Sequence, residues 1–217
     1  IEPIAKYNAY FKSYQGEKIL MEATPGYFYG SEFTANYIKE TVGDCKIIIM
    51  LRDPVERCIS FYKFMHTMLL LPPLMNFTEY LLKCEEMAED GPIQNNAFRG
   101  IERGLYANYL SGWVKIFDQS AKIIFFDDFK NNTKHTMHDL YNWLEVDDNY
   151  VEKQKFSIEN KTRNHKFRWL HLFALWGNNN FEQFYLKFPN LKASIRNMYF
   201  FFNGTSKKEK ILEKDIN

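Results

Sequence analysis

Arg52 and Ser60 stand eight residues apart across a strand-to-helix junction, and residues of these types at this spacing suit the holding of a phosphate group. Arginine presents a rigid fork of N–H donors that matches phosphate oxygens two at a time, and a serine hydroxyl adds a further hydrogen bond. The junction itself is written in the chain. Lys46–Leu51 is an apolar run of strand length, and Asp53-Pro54-Val55-Glu56 carries three helix-start signals. Asp53 is an N-cap residue, Pro54 suits the first helical position, and Glu56 stands where a capping-box partner belongs. A helix beginning there points backbone N–H groups and the positive end of its dipole at one place. Ser60 lies six residues past Pro54, about 9 Å along the helix axis, a gap that an extended arginine nearly closes.

The elements that must position these residues are legible from periodicity. Lys18–Glu22 reads as a short strand, Ser31–Val42 as a helix, and Lys46–Leu51 as a central strand buried on both faces. Val55–Leu70 is a helix stopped by Pro72-Pro73. Asn76 and Glu79 form a capping box that opens a helix through Met87. Residues 89–104 form a polar loop suited to the border of a substrate cleft. Tyr106–Phe117 keeps helical spacing, Lys122–Phe126 is a second buried strand, and Thr133–Leu144 is amphipathic. Aromatic-rich helical segments follow at Trp169–Trp176 and Phe181–Phe188. Strands alternating with helices predict an α/β fold with a mainly parallel central sheet flanked by helices.

Composition narrows the partners. The 217 residues suit one domain, 1–217, with a substantial core, and an aromatic share of 18% is incompatible with a disordered chain. A net charge of +1 gives no global field toward nucleic acid or an anionic surface, so any anion site has to be a local cluster. No apolar run approaches the roughly 20 residues of a membrane span. Cys45, Cys58 and Cys84 have spacing that suits neither a zinc site nor a disulfide framework, and no carboxylate or histidine cluster has metal-ligand spacing, so no metal is expected. Reduced thiols favour a cytoplasmic setting, while Asn-x-Ser/Thr triplets at Asn76, Asn131, Asn160 and Asn203 point weakly to a secretory one.

With its neighbours, this junction resembles a known family. Leu51-Arg52-Asp53-Pro54-Val55-Glu56-Arg57, followed by Ser60 and Tyr62, is similar to the 3′-phosphate-binding motif of sulfotransferases that use 3′-phosphoadenylyl sulfate (PAPS), above all the heparan sulfate group and its bacterial relatives. Met21-Glu22-Ala23-Thr24-Pro25-Gly26-Tyr27 resembles the family's Glu-Lys-Thr/Ser-Pro-x-Tyr segment, and Gly104-Leu105-Tyr106 through Trp113 its Gly-x-Tyr…Leu…Trp helix. Lys122–Lys130 with Leu140, Trp143 and Leu144 resembles its late strand and the helix beyond, and Lys161-Thr162-Arg163-Asn164-His165 a loop that closes over the nucleotide in 3-O-sulfotransferases. The resemblance covers roughly residues 7–163.

What the resemblance implies is a P-loop-type three-layer α/β fold and transfer of a sulfuryl group from PAPS to a hydroxyl or amine, on a glycan or small-molecule acceptor, with release of 3′-phosphoadenosine 5′-phosphate (PAP). It implies that Arg52 and Ser60 grip the 3′-phosphate and that Lys161, Arg163 and His165 cover the nucleotide. Glu22 is the carboxylate available for acid–base or orienting work, the other reading being a bridge around Thr24-Pro25. The family's glycine-rich phosphosulfate loop has no counterpart here and is expected upstream of residue 1, with the main base. A membrane anchor upstream would place the chain in the Golgi lumen. Ala23 stands where the family often has a substrate-facing lysine. The alternative function is a nucleotide-binding sulfotransferase-like module without transfer activity.

Overall fold

A computed structural model describes residues 7–156 and 164–205. The chain is mostly helical, with a parallel sheet, and divides into two compact units. One is built from residues up to Arg52 together with Tyr106–Phe156, the other from Asp53–Leu105 together with the described residues after 163.

In the first unit a 3₁₀ turn, Pro25–Gly30, leads into α1 (Ser31–Val42), β1 (Ile47–Leu51), α4 (Ala107–Phe117), β2 (Ala121–Phe125), α5 (Phe126–Asn131), α6 (Thr133–Leu144) and α7 (Asn149–Lys153). β1 and β2 pair in parallel, with Ile47 opposite Ala121 and Leu51 opposite Phe125. The core gathers Ala35, Ile49, Leu51, Trp113 and Phe117. α1 and α4 approach closely at Gly112. Ser31 Oγ donates to the Tyr109 carbonyl at 2.8 Å, Trp113 Nε1 donates to the Phe28 carbonyl at 3.0 Å, and Lys115 pairs with Glu32 at 2.7 Å.

Two expectations about strands fail here. Lys18–Glu22 forms no strand: Leu20 and Met21 are 51% and 72% exposed, and strand propensity without a partner edge does not make a ladder. β1 is not buried on both faces. Ile49 and Leu51 point into the core, whereas Ile48 and Met50 are 37% and 48% exposed, the alternation imposed by a two-residue period.

The second unit holds α2 (Pro54–Thr67), α3 (Phe77–Glu89), a short β3 (Asn164–His165), α8 (Arg168–Asn180), α9 (Glu182–Lys187), α10 (Pro189–Asn203) and β4 (Gly204–Thr205), which pairs antiparallel with β3. α2 buries Cys58, Tyr62 and Met65 at i, i+4 and i+7, and α3 buries Phe77, Tyr80 and Cys84 at i, i+3 and i+7. The α3 capping box forms as read: Glu79 N–H donates to Asn76 Oδ1 and Asn76 N–H to Glu79 Oε2, both at 2.9 Å. The polar 89–104 segment is not a plain loop. It turns twice as 3₁₀ helix and sends Ile93, Ala97 and Phe98 into the unit's interior.

Asn203 is fully buried and acts as a hub, accepting from Phe167 N–H at 2.7 Å and donating to the Phe167 carbonyl at 3.1 Å and to Tyr199 Oη at 2.8 Å. Its side chain and that of Asn76 are therefore committed to the fold. Burial pushes the Cys58 thiol up to about 11, so it packs as an inert apolar group. Among the described residues no helix is long and apolar enough to cross a membrane.

Candidate nucleotide-binding site

Arg52 follows β1 directly, and the sheet register determines its surroundings. Leu51 is opposite Phe125, so one step further along the two chains Arg52 meets Phe126, with its guanidinium 5.3 Å from the Phe126 ring centroid. That distance is within cation–π range and steadies a side chain that otherwise samples many rotamers. Its backbone is held as well: Tyr106 Oη donates to the Arg52 carbonyl at 3.0 Å. Tyr106 is fixed in turn by an edge-on contact with Phe28, whose ring also meets Tyr109. Nothing local in the sequence signals this bond, because its partner lies 54 residues away.

Asp53 begins the second unit and caps α2 as its type predicts, with Glu56 N–H donating to Asp53 Oδ1 at 2.8 Å. This corrects the picture of an open helix start. Pro54 brings no N–H, and Asp53 already takes that of Glu56, which leaves the Val55 amide among the first three helical positions. An anion at this helix start would meet side-chain donors more than helix amides. Ser60 is half-buried on α2, outside the Cys58–Tyr62–Met65 stripe. Arg57 is structural: Nη1 donates to the Gly100 carbonyl at 2.9 Å and the guanidinium lies 5.5 Å from the Phe61 centroid. Tyr62 is buried, with its hydroxyl donating to the Met75 carbonyl at 2.7 Å.

Glu22 is exposed, on an extended segment and not at a strand end, and its carboxylate accepts from the Thr24 hydroxyl. That is the bridging arrangement around Thr24-Pro25. His66 packs edge-on against Tyr62 and faces the Met75 carbonyl at 3.3 Å, a helix-packing role. His165 stacks on His171, and Lys161 and Arg163 lie outside the described residues. Among the described residues no group of three or more His, Cys, Asp or Glu side chains is arranged to hold a metal ion.

Comparison with known proteins identifies the family. The family model described as "Sulfotransferase domain" matches residues 36–185, and the chain belongs to that family. Human carbohydrate sulfotransferase 15 is 28% identical over 127 residues, covering 52% of this chain and 22% of that protein. Mouse heparan sulfate glucosamine 3-O-sulfotransferase 3B1 is 32% identical over 100 residues, covering 46% of this chain and 24% of that one. The chain thus matches about a fifth to a quarter of the length of these curated relatives. The crystal structure of a sulfotransferase from Alicyclobacillus acidocaldarius superposes with a TM-score of 0.61 at 27% identity, covering 74% of this chain and 63% of that one. The fold is the α/β fold of that neighbour.

Proposed function

We propose that the chain is part of an enzyme that transfers a sulfuryl group from PAPS to a hydroxyl or amine, with a glycan as the favoured acceptor class, and releases PAP. The observation that carries this reading is the family match over residues 36–185, which contains Arg52, Ser60 and the whole segment between them. Carbohydrate and heparan sulfate sulfotransferases among the relatives support the acceptor class.

In the reaction the acceptor oxygen or nitrogen forms a bond to sulfur as the bond from sulfur to the bridging phosphate oxygen breaks, and the acceptor's proton passes to a base. Arg52 and Ser60 take part only by binding. They hold the 3′-phosphate at the far end of the donor, and that remote binding energy orients the reacting end. A cation steadied on Phe126, its backbone pinned by Tyr106, suits such an anchor because little freedom is lost when phosphate arrives. Lys161, Arg163 and His165 are assigned to cover the nucleotide, and Glu22 to orient or accept a proton at the acceptor.

Calorimetry with PAP tests the anchor. Arg52→Ala and Ser60→Ala each weaken PAP by about tenfold or more, as loss of a charge-assisted hydrogen bond predicts, and leave adenosine 5′-phosphate binding nearly unchanged. Equal losses for both nucleotides would remove the 3′-phosphate assignment. Transfer of labelled sulfate from PAPS to a glycan panel then separates an enzyme from a nucleotide-binding module, and Glu22→Gln is expected to lower turnover more than PAP affinity.

A further inference from the structure

The C-terminal helices of the second unit expose the faces that an amphipathic helix ordinarily buries. On α8, Trp169, Leu172, Phe173 and Trp176 fall at i, i+3, i+4 and i+7, one stripe of a 3.6-residue helix, and they are 69%, 50%, 64% and 54% exposed. The opposite side of the same helix is the buried one, with His171 8% exposed. α10 repeats the pattern with Leu191, Ile195, Met198 and Phe202, exposed by 43%, 39%, 59% and 62%. The stripe continues from α8 into α9, because Phe173 stacks on Trp176 and Trp176 meets Phe181 edge-on, with centroids 5.7 Å and 6.1 Å apart.

The charge around these faces is one-sided. Residues 166–203 contain Lys166, Arg168, Lys187, Lys192 and Arg196 against a single acid, Glu182, although the whole chain carries only +1. Lys192 and Arg196 each follow a stripe residue by one position, so they flank the α10 stripe. Exposed apolar faces bordered by lysine and arginine fit a surface that is greasy beneath and negative on top.

We infer that α8–α10 form a docking face for an anionic phospholipid surface, with the aromatic stripe entering the headgroup boundary and the basic flank meeting lipid phosphates. Tryptophan and phenylalanine bordered by cations are the composition of helices that lie in the plane of a bilayer interface. A second copy of the chain fits less well, since pairing this face with itself opposes five cations with five more. A sulfated or carboxylated glycan would satisfy the cations, but it gives Leu172, Leu191, Ile195 and Met198 nothing apolar to cover them.

The test is co-sedimentation of the full chain with vesicles of phosphatidylcholine alone or mixed with phosphatidylserine, alongside tryptophan emission. Binding to the mixed vesicles is expected to be roughly tenfold tighter than to phosphatidylcholine, to weaken with salt, and to shift tryptophan emission to shorter wavelength. Phe173→Ser with Trp176→Ser, and separately Lys192→Glu with Arg196→Glu, each reduce binding about tenfold or more. These side chains are exposed, and circular dichroism checks that the variants stay folded. Failure of the unmodified chain to bind the mixed vesicles overturns the inference. So does binding that both double variants leave intact, a dimer that they abolish while vesicles stay unbound, or capture by heparin without capture by vesicles.

Discussion

The imidazole rings of His165 and His171 stack with centroids 4.2 Å apart and planes 10° from parallel. His171 is further engaged at both nitrogens, with Nε2 2.8 Å from the Thr67 carbonyl and Nδ1 2.6 Å from Tyr199 Oη. A single assignment satisfies every group: Nε2–H donates to Thr67, Tyr199 O–H donates to Nδ1, and Asn203 Nδ2 donates to Tyr199 Oη. Through these bonds α2, α8 and α10 are tied together.

Acid should loosen this part of the fold. Desolvation, the largest cause, holds His165 below the ordinary histidine value of 6.5, and electrostatic interaction with His171, Arg168 and His66 acts in the same direction. A lowered folded pKa means the unfolded chain takes up the proton first as pH falls below 6.5, so stability drops over that window and is insensitive to this group above it. The urea midpoint is expected to fall between pH ~7 and pH ~5. His165→Phe, which keeps a stackable ring without a proton site, is expected to flatten the slope, and an unchanged slope would show that other groups dominate.

Tyr106→Phe separates support of the fold from support of the proposed anchor. The lost hydroxyl leaves the Arg52 carbonyl one donor short and costs about 1 kcal/mol in urea unfolding. If that bond positions Arg52 for phosphate, PAP affinity also falls, by roughly fivefold for a loss of that size. A stability loss with PAP binding intact would confine Tyr106 to the fold.

Two glycines in helices are expected to respond in opposite directions to alanine. A Cβ on Gly112 would lie 2.3 Å from the Glu32 backbone nitrogen and 2.7 Å from its Cα, so Gly112→Ala forces α1 and α4 apart at a cost of about 3 kcal/mol. A Cβ on Gly177, inside α8, meets nothing within 4 Å, and Gly177→Ala raises stability by up to about 1 kcal/mol. Urea titration of the two variants reads both signs.

His138 works in the opposite sense to His165. Nε2 lies 3.0 Å from Glu152 Oε1 and Nδ1 2.9 Å from Asp148 Oδ2, an arrangement that only the doubly protonated ring satisfies, and Lys134 also pairs with Glu152. Glu152 first, then Asp148, raises the His138 pKa. Its contribution is present below 6.5 and is lost as pH climbs through the raised value. His138→Gln is expected to lower the thermal midpoint in mild acid and to make little difference at alkaline pH.

Local signals were strong where one residue type dictated the backbone. Asp53 and Asn76 cap the helices their types announce, and Ser31–Val42 and Thr133–Leu144 are helices where their periodicity places them. Lys18–Glu22 misled because a strand depends on a neighbour that lies elsewhere in the chain. β1 misled because an unbroken apolar run does not reveal which face receives a helix. α10, Pro189–Asn203, was not anticipated, since Lys192, Ser194 and Arg196 stand between its apolar residues in the linear sequence although they flank the stripe on the helix. At the candidate site the Arg52–Ser60 spacing was readable, but the Phe126 ring beneath the guanidinium was not, because it depends on which residue of a distant strand pairs with Leu51.

The pairing of Leu51 with Phe125 has a consequence for how the chain is made. About seventy residues separate the end of β1 from the start of β2, and that stretch includes all of α2 and α3. On the ribosome, β1 emerges long before its mate exists, while the Cys58–Tyr80–Phe98 cluster has all its members at hand. Among the described residues Ile47–Leu51 has no strand to pair with until Ala121–Phe125 is synthesised, and on the nascent chain it is an apolar segment that gains from shielding.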